Sequence, residues 1–155
     1  MKVALVQLDT RPNSRAENLR RIEQMTANVE CDLVVLPEMF ATGYNIEAEV
    51  VAERTNGATL EWMKGFAKER GCAVAGTVAV KERGEFFNRF YFCLPDGSHF
   101  HYDKRHLFTF AGEERHFSEG KERVIIEWCG VRILPLVCYD LRFPAWSYLA
   151  GSVDL

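Results

Sequence analysis

Apolar residues run almost unbroken through some stretches of the chain and recur every three or four positions in others, and the two patterns predict different elements. "KVALVQL" (2–8) is β-branched and apolar and closes at Asp9 and a polar turn through Asn13, which predicts a buried strand. In "SRAENLRRIEQMTANV", Ala16, Leu19, Ile22, Met25 and Val29 fall three or four apart on one helical face, and Ser14 with Glu17 has capping-box spacing. "DLVVLPE" (32–38) is apolar nearly throughout, as in a strand covered on both faces. Strand, helix and strand with short links predict a right-handed parallel crossover. A second helix is expected over "TLEWMKGFAKERG" (59–71), with Thr59 as its cap, Leu60, Met63, Phe66 and Ala67 on one side, and Gly71 as its stop.

After Gly71 the helical period gives way to strands. "CAVAGTVAV" (72–80), "FFNRFYFCL" (86–94) and "SHFHYDK" (98–104) are joined by "KERGE" and "PDG", which predicts hairpins. "RVIIEW" (123–128) and "VRILPLV" (131–137) form another pair around Cys129 and Gly130. Repeats, low-complexity tracts and linkers are absent from the sequence. The expectation is an α/β chain forming one domain over 1–155, with helices on one face of a mixed sheet and a second, strand-rich face that needs cover.

Composition narrows the function classes. A chain of 155 residues with 48% hydrophobic content can bury a core. No apolar run approaches the roughly 18 to 20 residues that span a bilayer, and "MKVALVQLDTRPN" meets charge and proline too early for a signal peptide, so a cytoplasmic chain without a membrane partner is expected. The net charge of −3 is spread along the chain with no basic cluster, which argues against nucleic acid. Five cysteines, an odd number without close pairing, are expected as reduced thiols, with Cys31, Cys72, Cys93 and Cys129 as packing residues. His99 and His101 share a strand face and, with His106, His116 and a cysteine, could ligate zinc. Their spacing matches no standard metal motif, so an exposed pair is the expectation.

Three strands end in a reactive group: Glu38 after "DLVVLP", Lys104 after "HFHYD" and Cys138 after "VRILPLV". Ligands of open α/β sheets bind beyond the carboxyl ends of the strands, so these groups can converge. A carboxylate that takes a proton, an ammonium that steadies negative charge and a thiol that attacks are sufficient for acyl transfer. Taken singly, each has a plainer reading: a buried small hydrophobe for the cysteine, a loop acid for the glutamate and a surface charge for the lysine.

In "LVVLPEMF", "YDKRHLF" and "LVCYDLRFP" the chain resembles, in the right order, the glutamate, lysine and cysteine motifs of the nitrilase superfamily of carbon-nitrogen hydrolases, and "KVALVQLD" is similar to its first strand. The resemblance implies an α-β-β-α sandwich of four layers, a Glu38, Lys104 and Cys138 triad, and neither metal nor organic cofactor. Glu38 would act as general base on Cys138, with the oxyanion held by Lys104 and the backbone N–H of Tyr139. A second glutamate is implied in "TFAGEERHF", where Glu113 and Glu114 both qualify and alignment favours Glu113. "CYDLRFPAWS" with "LPEMFATGYN" is most similar to the omega-amidase branch, which implies a small amide substrate, the omega-amide of a 2-oxo dicarboxylic acid. Arg142 would then hold the far carboxylate, or else pair with Asp140 or Glu38. Phe40 and Tyr44 would wall the pocket, or else belong to the core. Members of the superfamily continue well past the cysteine motif and form dimers through that later part. The chain is therefore expected to be the N-terminal portion of such a hydrolase; the alternative is a short chain without catalysis that serves as a binding module.

Overall fold

The structure, a computed structural model, describes residues 1–148 and 153–155. The chain runs β1 (Val3–Leu5), α1 (Arg15–Thr26), β2 (Leu33–Val35), α2 (Ala48–Val51), β3 (Glu53–Arg54), α3 (Ala58–Arg70), β4 (Ala73–Glu82), β5 (Glu85–Cys93) and β6 (His99–Asp103). Two 3-10 turns, Thr109–Ala111 and Glu113–Arg115, lead to β7 (Ile126–Trp128) and β8 (Val131–Ile133), then to a 3-10 turn Cys138–Arg142 and the short α4 (Pro144–Ser147). The main sheet has the order β1-β2-β4-β5-β6, with β3 beside the far end of β4. Its first three strands are parallel, in the register Val3 to Leu33 and Leu33 to Ala73, and β4, β5 and β6 are antiparallel. The expected parallel pairing across α1 and the expected hairpins are present.

One face of the sheet is covered by α1 and α3. Ile22, Leu60, Met63, Phe66 and Ala67 pack there with Val34, Leu36, Phe40, Val74 and Val78, each large apolar side chain contributing roughly 1.5–3 kcal/mol of burial. The predicted face of α3 is the buried one, and Gly71 ends it in the left-handed conformation at φ +64°. Its start differs from expectation. Gly57 is the N-cap, and the Glu53 carboxylate accepts the Thr59 N–H at 2.9 Å and its hydroxyl. Burial would raise the Glu53 carboxyl, but these bonds and the Arg15 ion pair hold it below the usual range.

Helix α1 is rotated from its predicted face. Met25, Val29 and Ala16 are exposed, whereas Asn18, Ile22 and Thr26, each four apart, are buried. The cause is polar: Asn18 donates to the carbonyls of Arg11 and Ala41 at 2.8 and 2.9 Å and accepts the Arg11 N–H at 2.7 Å, fastening the helix to the loop after β2. The Ser14 hydroxyl turns to the Pro12 carbonyl, and Glu17 pairs with Arg20, so the capping box does not form.

On the opposite face Leu33, Ala73, Ala75 and Phe92 pack under Ile126 and Ile133 of β7 and β8. Helices, main sheet and the first strands of a second sheet are thus three layers of the α-β-β-α arrangement. The strands expected over 123–128 and 131–137 shorten to three residues each, because Ile126 to Trp128 and Val131 to Ile133 are the residues that pair between them, and among the described residues the flanking ones extend no ladder. Residues 153–155 run beside β8, with the Leu134 N–H bonded to the Leu155 carbonyl at 2.9 Å. Among the described residues no helix is long and apolar enough to cross a membrane.

Candidate active site

Glu38 is aimed by a strained loop. The Leu36 N–H follows the β4 edge to the Ala75 carbonyl at 2.7 Å, and the chain then leaves the sheet with Met39 at φ +49°. A left-handed backbone costs a non-glycine residue about 1–2 kcal/mol, and here it is held by the buried Thr77 hydroxyl, which accepts the Met39 N–H at 2.8 Å. Gly76 permits the close approach: a Cβ there would lie 2.9 Å from Leu36 and Phe40. The consequence is a carboxylate turned across the sheet toward β5 and β6.

Lys104 follows β6, where its N–H bonds the Asn88 carbonyl at 3.0 Å. Its Nζ reaches Glu38 Oε1 at 2.9 Å and Glu113 Oε2 at 2.9 Å. The side chains of Lys104 and Glu113 are both 0% exposed. Burial works to lower the Lys104 amine, but the Glu38 and Glu113 carboxylates outweigh it and raise the group, so it is an ammonium at any physiological pH. The Phe108 N–H fixes Glu113 Oε2 at 2.6 Å. Asn88 Nδ2 donates to Glu38 Oε1 at 2.7 Å and Glu113 Oε1 at 3.2 Å. Of the two acids weighed for the second glutamate, Glu113 is the one that meets Lys104; Glu114 lies 3.7 Å from Arg115 at the surface.

Cys138 opens its turn at φ +47° with an exposed side chain. The fully buried Asp140 braces that turn: one oxygen accepts the Val137 N–H at 3.0 Å and the Tyr102 hydroxyl at 2.8 Å, the other the His106 N–H at 2.9 Å and its ring Nδ1 at 2.9 Å. His106 in turn stacks on Phe143 at 3.7 Å. The Cys138 thiol is raised above its ordinary value by partial burial and by the Glu38 charge, while Lys104 pulls it down. The site thus couples a protonated thiol to a carboxylate pinned on an ammonium. Of the other cysteines, burial pushes Cys72 up to about 11 and Cys93 up to about 12. Cys129 is exposed, contrary to a packing role, because it and Gly130 both take positive φ in the tight turn between β7 and β8.

Beside the thiol lies an open cavity of about 850 Å³ lined by Phe108, Phe110, Cys138, Tyr139, Leu141 and Arg142. Arg142 is exposed and makes no ion pair among the described residues; Asp140 and Glu38, the partners weighed for it, are engaged elsewhere. Tyr139 places its N–H at the start of the Cys138 turn and its ring across Phe108 and Phe143. Tyr44 is half exposed, and its phenol is pushed up to about 12 by burial and by Glu113, with Lys104 opposing, which puts it within the field of the cluster. Phe40 is not at this cavity: it is fully buried in the helix-side core, 6.0 Å from the Trp62 ring, because Met39 reverses the chain between it and Glu38. His99 sits edge-on to Tyr91 and His106 bonds Asp140; among the described residues no three His, Cys, Asp or Glu side chains are grouped for a metal.

Sequence reasoning missed Asn88, Thr77 and the bracing role of Asp140 with His106 and Tyr102. A signal existed for Asn88, the lone amide inside the apolar run "FFNRFYFC". Polar groups in such runs are retained where buried partners need them.

The Carbon-nitrogen hydrolase family model matches residues 2–152. The chain is 43% identical over 141 residues to "Omega-amidase YafV" of Yersinia enterocolitica, covering 89% of this chain and 54% of that protein. It is 40% identical over 156 residues to "Omega-amidase YafV" of Escherichia coli strain K12, covering 100% of this chain and 60% of that protein. The chain therefore spans a little over half the length of these relatives. Among solved structures, a CN-hydrolase superfamily protein of Xanthomonas campestris with an arsenic adduct in its active site superposes with a TM-score of 0.92 at 37% identity, covering 100% of this chain and 62% of that one. With a family match that runs nearly end to end, on top of a fold that brings Glu38 to Lys104 and sets Cys138 within their field, the chain belongs to the carbon-nitrogen hydrolase family of the nitrilase superfamily.

Proposed function

We propose that the protein is an amidase that cleaves the carbon-nitrogen bond of a small amide through a thioester on Cys138, releasing ammonia. The observation that carries this reading is the Lys104 ammonium 2.9 Å from both Glu38 and Glu113, with the Cys138 thiol within the field of Glu38 and Lys104. In the first half-reaction Glu38 takes the thiol proton as sulfur bonds to the amide carbon. The oxygen that becomes negative is stabilised by the Lys104 ammonium and the Tyr139 N–H, donors fixed before the charge develops. Glu38 passes its proton to the departing nitrogen, and the C–N bond breaks. Water then attacks the thioester with Glu38 again as base, regenerating the thiol. Glu113 holds Lys104 in place, and the thiol, protonated at rest, is ionised only as it attacks.

The cavity and the relatives support a substrate class. Arg142, exposed at the rim and free of ion pairs among the described residues, suits a carboxylate, and omega-amidases are the named relatives. The omega-amide of a 2-oxo dicarboxylic acid is the best fit. Ammonia release from such amides and from neutral amides of the same length tests it. Release abolished by Cys138→Ala, with a Michaelis constant that Arg142→Leu raises for the charged amide alone, supports the reading. Release that survives Cys138→Ala, or a folded protein that releases none, overturns it.

A further inference from the structure

Asn88 lies in the middle of β5 with 0% of its surface exposed, and its contacts are uneven. Both of its Nδ2 bonds go to carboxylates, Glu38 Oε1 at 2.7 Å and Glu113 Oε1 at 3.2 Å, whereas its own Oδ1 has no partner. Two carboxylate acceptors settle which way the amide points, because the flipped amide would face them with an oxygen. An orphaned buried acceptor is a cost to the fold. A side chain kept at that cost is kept for its donor end.

That end does something Lys104 cannot do alone. Glu38 Oε1 receives both the Lys104 ammonium and the Asn88 amide, while Glu38 Oε2 has no hydrogen bond among the described residues. We propose that Asn88 is a positioning residue of the catalytic cluster, pinning Glu38 and Glu113 by one oxygen each on the Lys104 side so that the second oxygen of Glu38 is left for the Cys138 thiol. It touches neither thiol nor substrate and acts through Glu38. The inference rests on the proposed function, because pinning matters only if Glu38 works as the base.

The test is the pH profile of Cys138 alkylation by iodoacetamide in the native protein, read by mass spectrometry, for wild type, Asn88→Asp, Asn88→Leu and Lys104→Met. Asn88→Asp keeps the shape but places a third carboxylate against Glu38 and Glu113. Asn88→Leu is near in volume, carries no orphan acceptor and so preserves the fold. Loss of the donor leaves more negative charge facing the thiol in both, so thiolate forms at higher pH. The expected result is an upward shift in both variants, larger for Asp, with a rate at pH 7 at least tenfold lower in Asn88→Asp. A merely structural role would lower the melting temperature and leave the profile of the folded molecules in place. A folded variant whose profile superimposes on wild type overturns the inference while the wild-type dependence on Lys104 leaves the function standing. A wild-type profile that Lys104→Met does not move overturns the function reading itself.

Discussion

Cys129 and Cys138 are both exposed thiols on left-handed backbone, at φ +50° and +47°, nine positions apart in the chain. Cys129 shares a tight hairpin turn with Gly130, where positive φ is what the turn geometry demands. Cys138 has no glycine beside it, and its strain is held by the four bonds that Asp140 accepts from Val137, Tyr102 and His106. The two differ in their charged surroundings, because the Cys138 thiol lies within the field of Glu38 and of the Lys104 ammonium bonded to it. Exposure and unusual backbone do not by themselves make a nucleophile, therefore, and under the proposed function the charges arranged around the sulfur and the bracing of its turn make the difference.

The comparison breaks first at the chemistry. Cys138→Ala is expected to reduce ammonia release by about 10⁴-fold or more, the scale of losing a covalent nucleophile, and Cys129→Ala to leave it unchanged; equal losses in a steady-state assay would erase the distinction. Next is Lys104→Met, which leaves the buried Glu113 and the partly buried Glu38 without their counterion. A loss of about 3–5 kcal/mol in urea unfolding is expected. Since Lys104 lowers the Cys138 thiol, its removal raises that thiol, and alkylation below the new midpoint slows at Cys138 but not at Cys129. Asp140→Ala strips the brace and should cost about 2–3 kcal/mol in the same measurement, with Cys138 alkylation losing its distinctive profile. Smallest is Cys129→Asn, which places the preferred Asn-Gly pair in the hairpin turn and should stabilise the fold by about 0.5 kcal/mol.

Most of the architecture was legible because burial writes a period into the sequence. The apolar run of β2 and the spacing of Leu60, Met63, Phe66 and Ala67 in α3 give their elements and buried faces directly. The reading failed where polar contacts outweighed that period: α1 turns to bury Asn18 and Thr26, and α3 is capped by Glu53 from another segment. The strands after residue 122 were drawn too long because apolar composition marks residues that can pair and says nothing of where a partner strand lies. In the site, the three strand-end groups could be picked out, but Asn88 and Thr77 act through contacts 50 and 38 positions away, which no local pattern encodes. Phe40 sits two residues from Glu38, yet the reversal at Met39 sends it into the core.

The most direct measurement is the pH profile of Cys138 alkylation in Glu38→Gln, alongside ammonia release, with Cys129 in the same molecule as the internal reference. The Glu38 charge raises the thiol, so removing it should lower the pH at which thiolate forms and make alkylation of Cys138 near neutral pH faster than in wild type. Cys129 should be unaffected. Ammonia release should nevertheless be lost, because the group proposed to receive the thiol proton and return it to the leaving nitrogen is gone. Opposite changes in the two readings are the expected result; alkylation that slows at Cys138, or turnover that survives the substitution, would contradict the assignment of Glu38 as the base acting on Cys138.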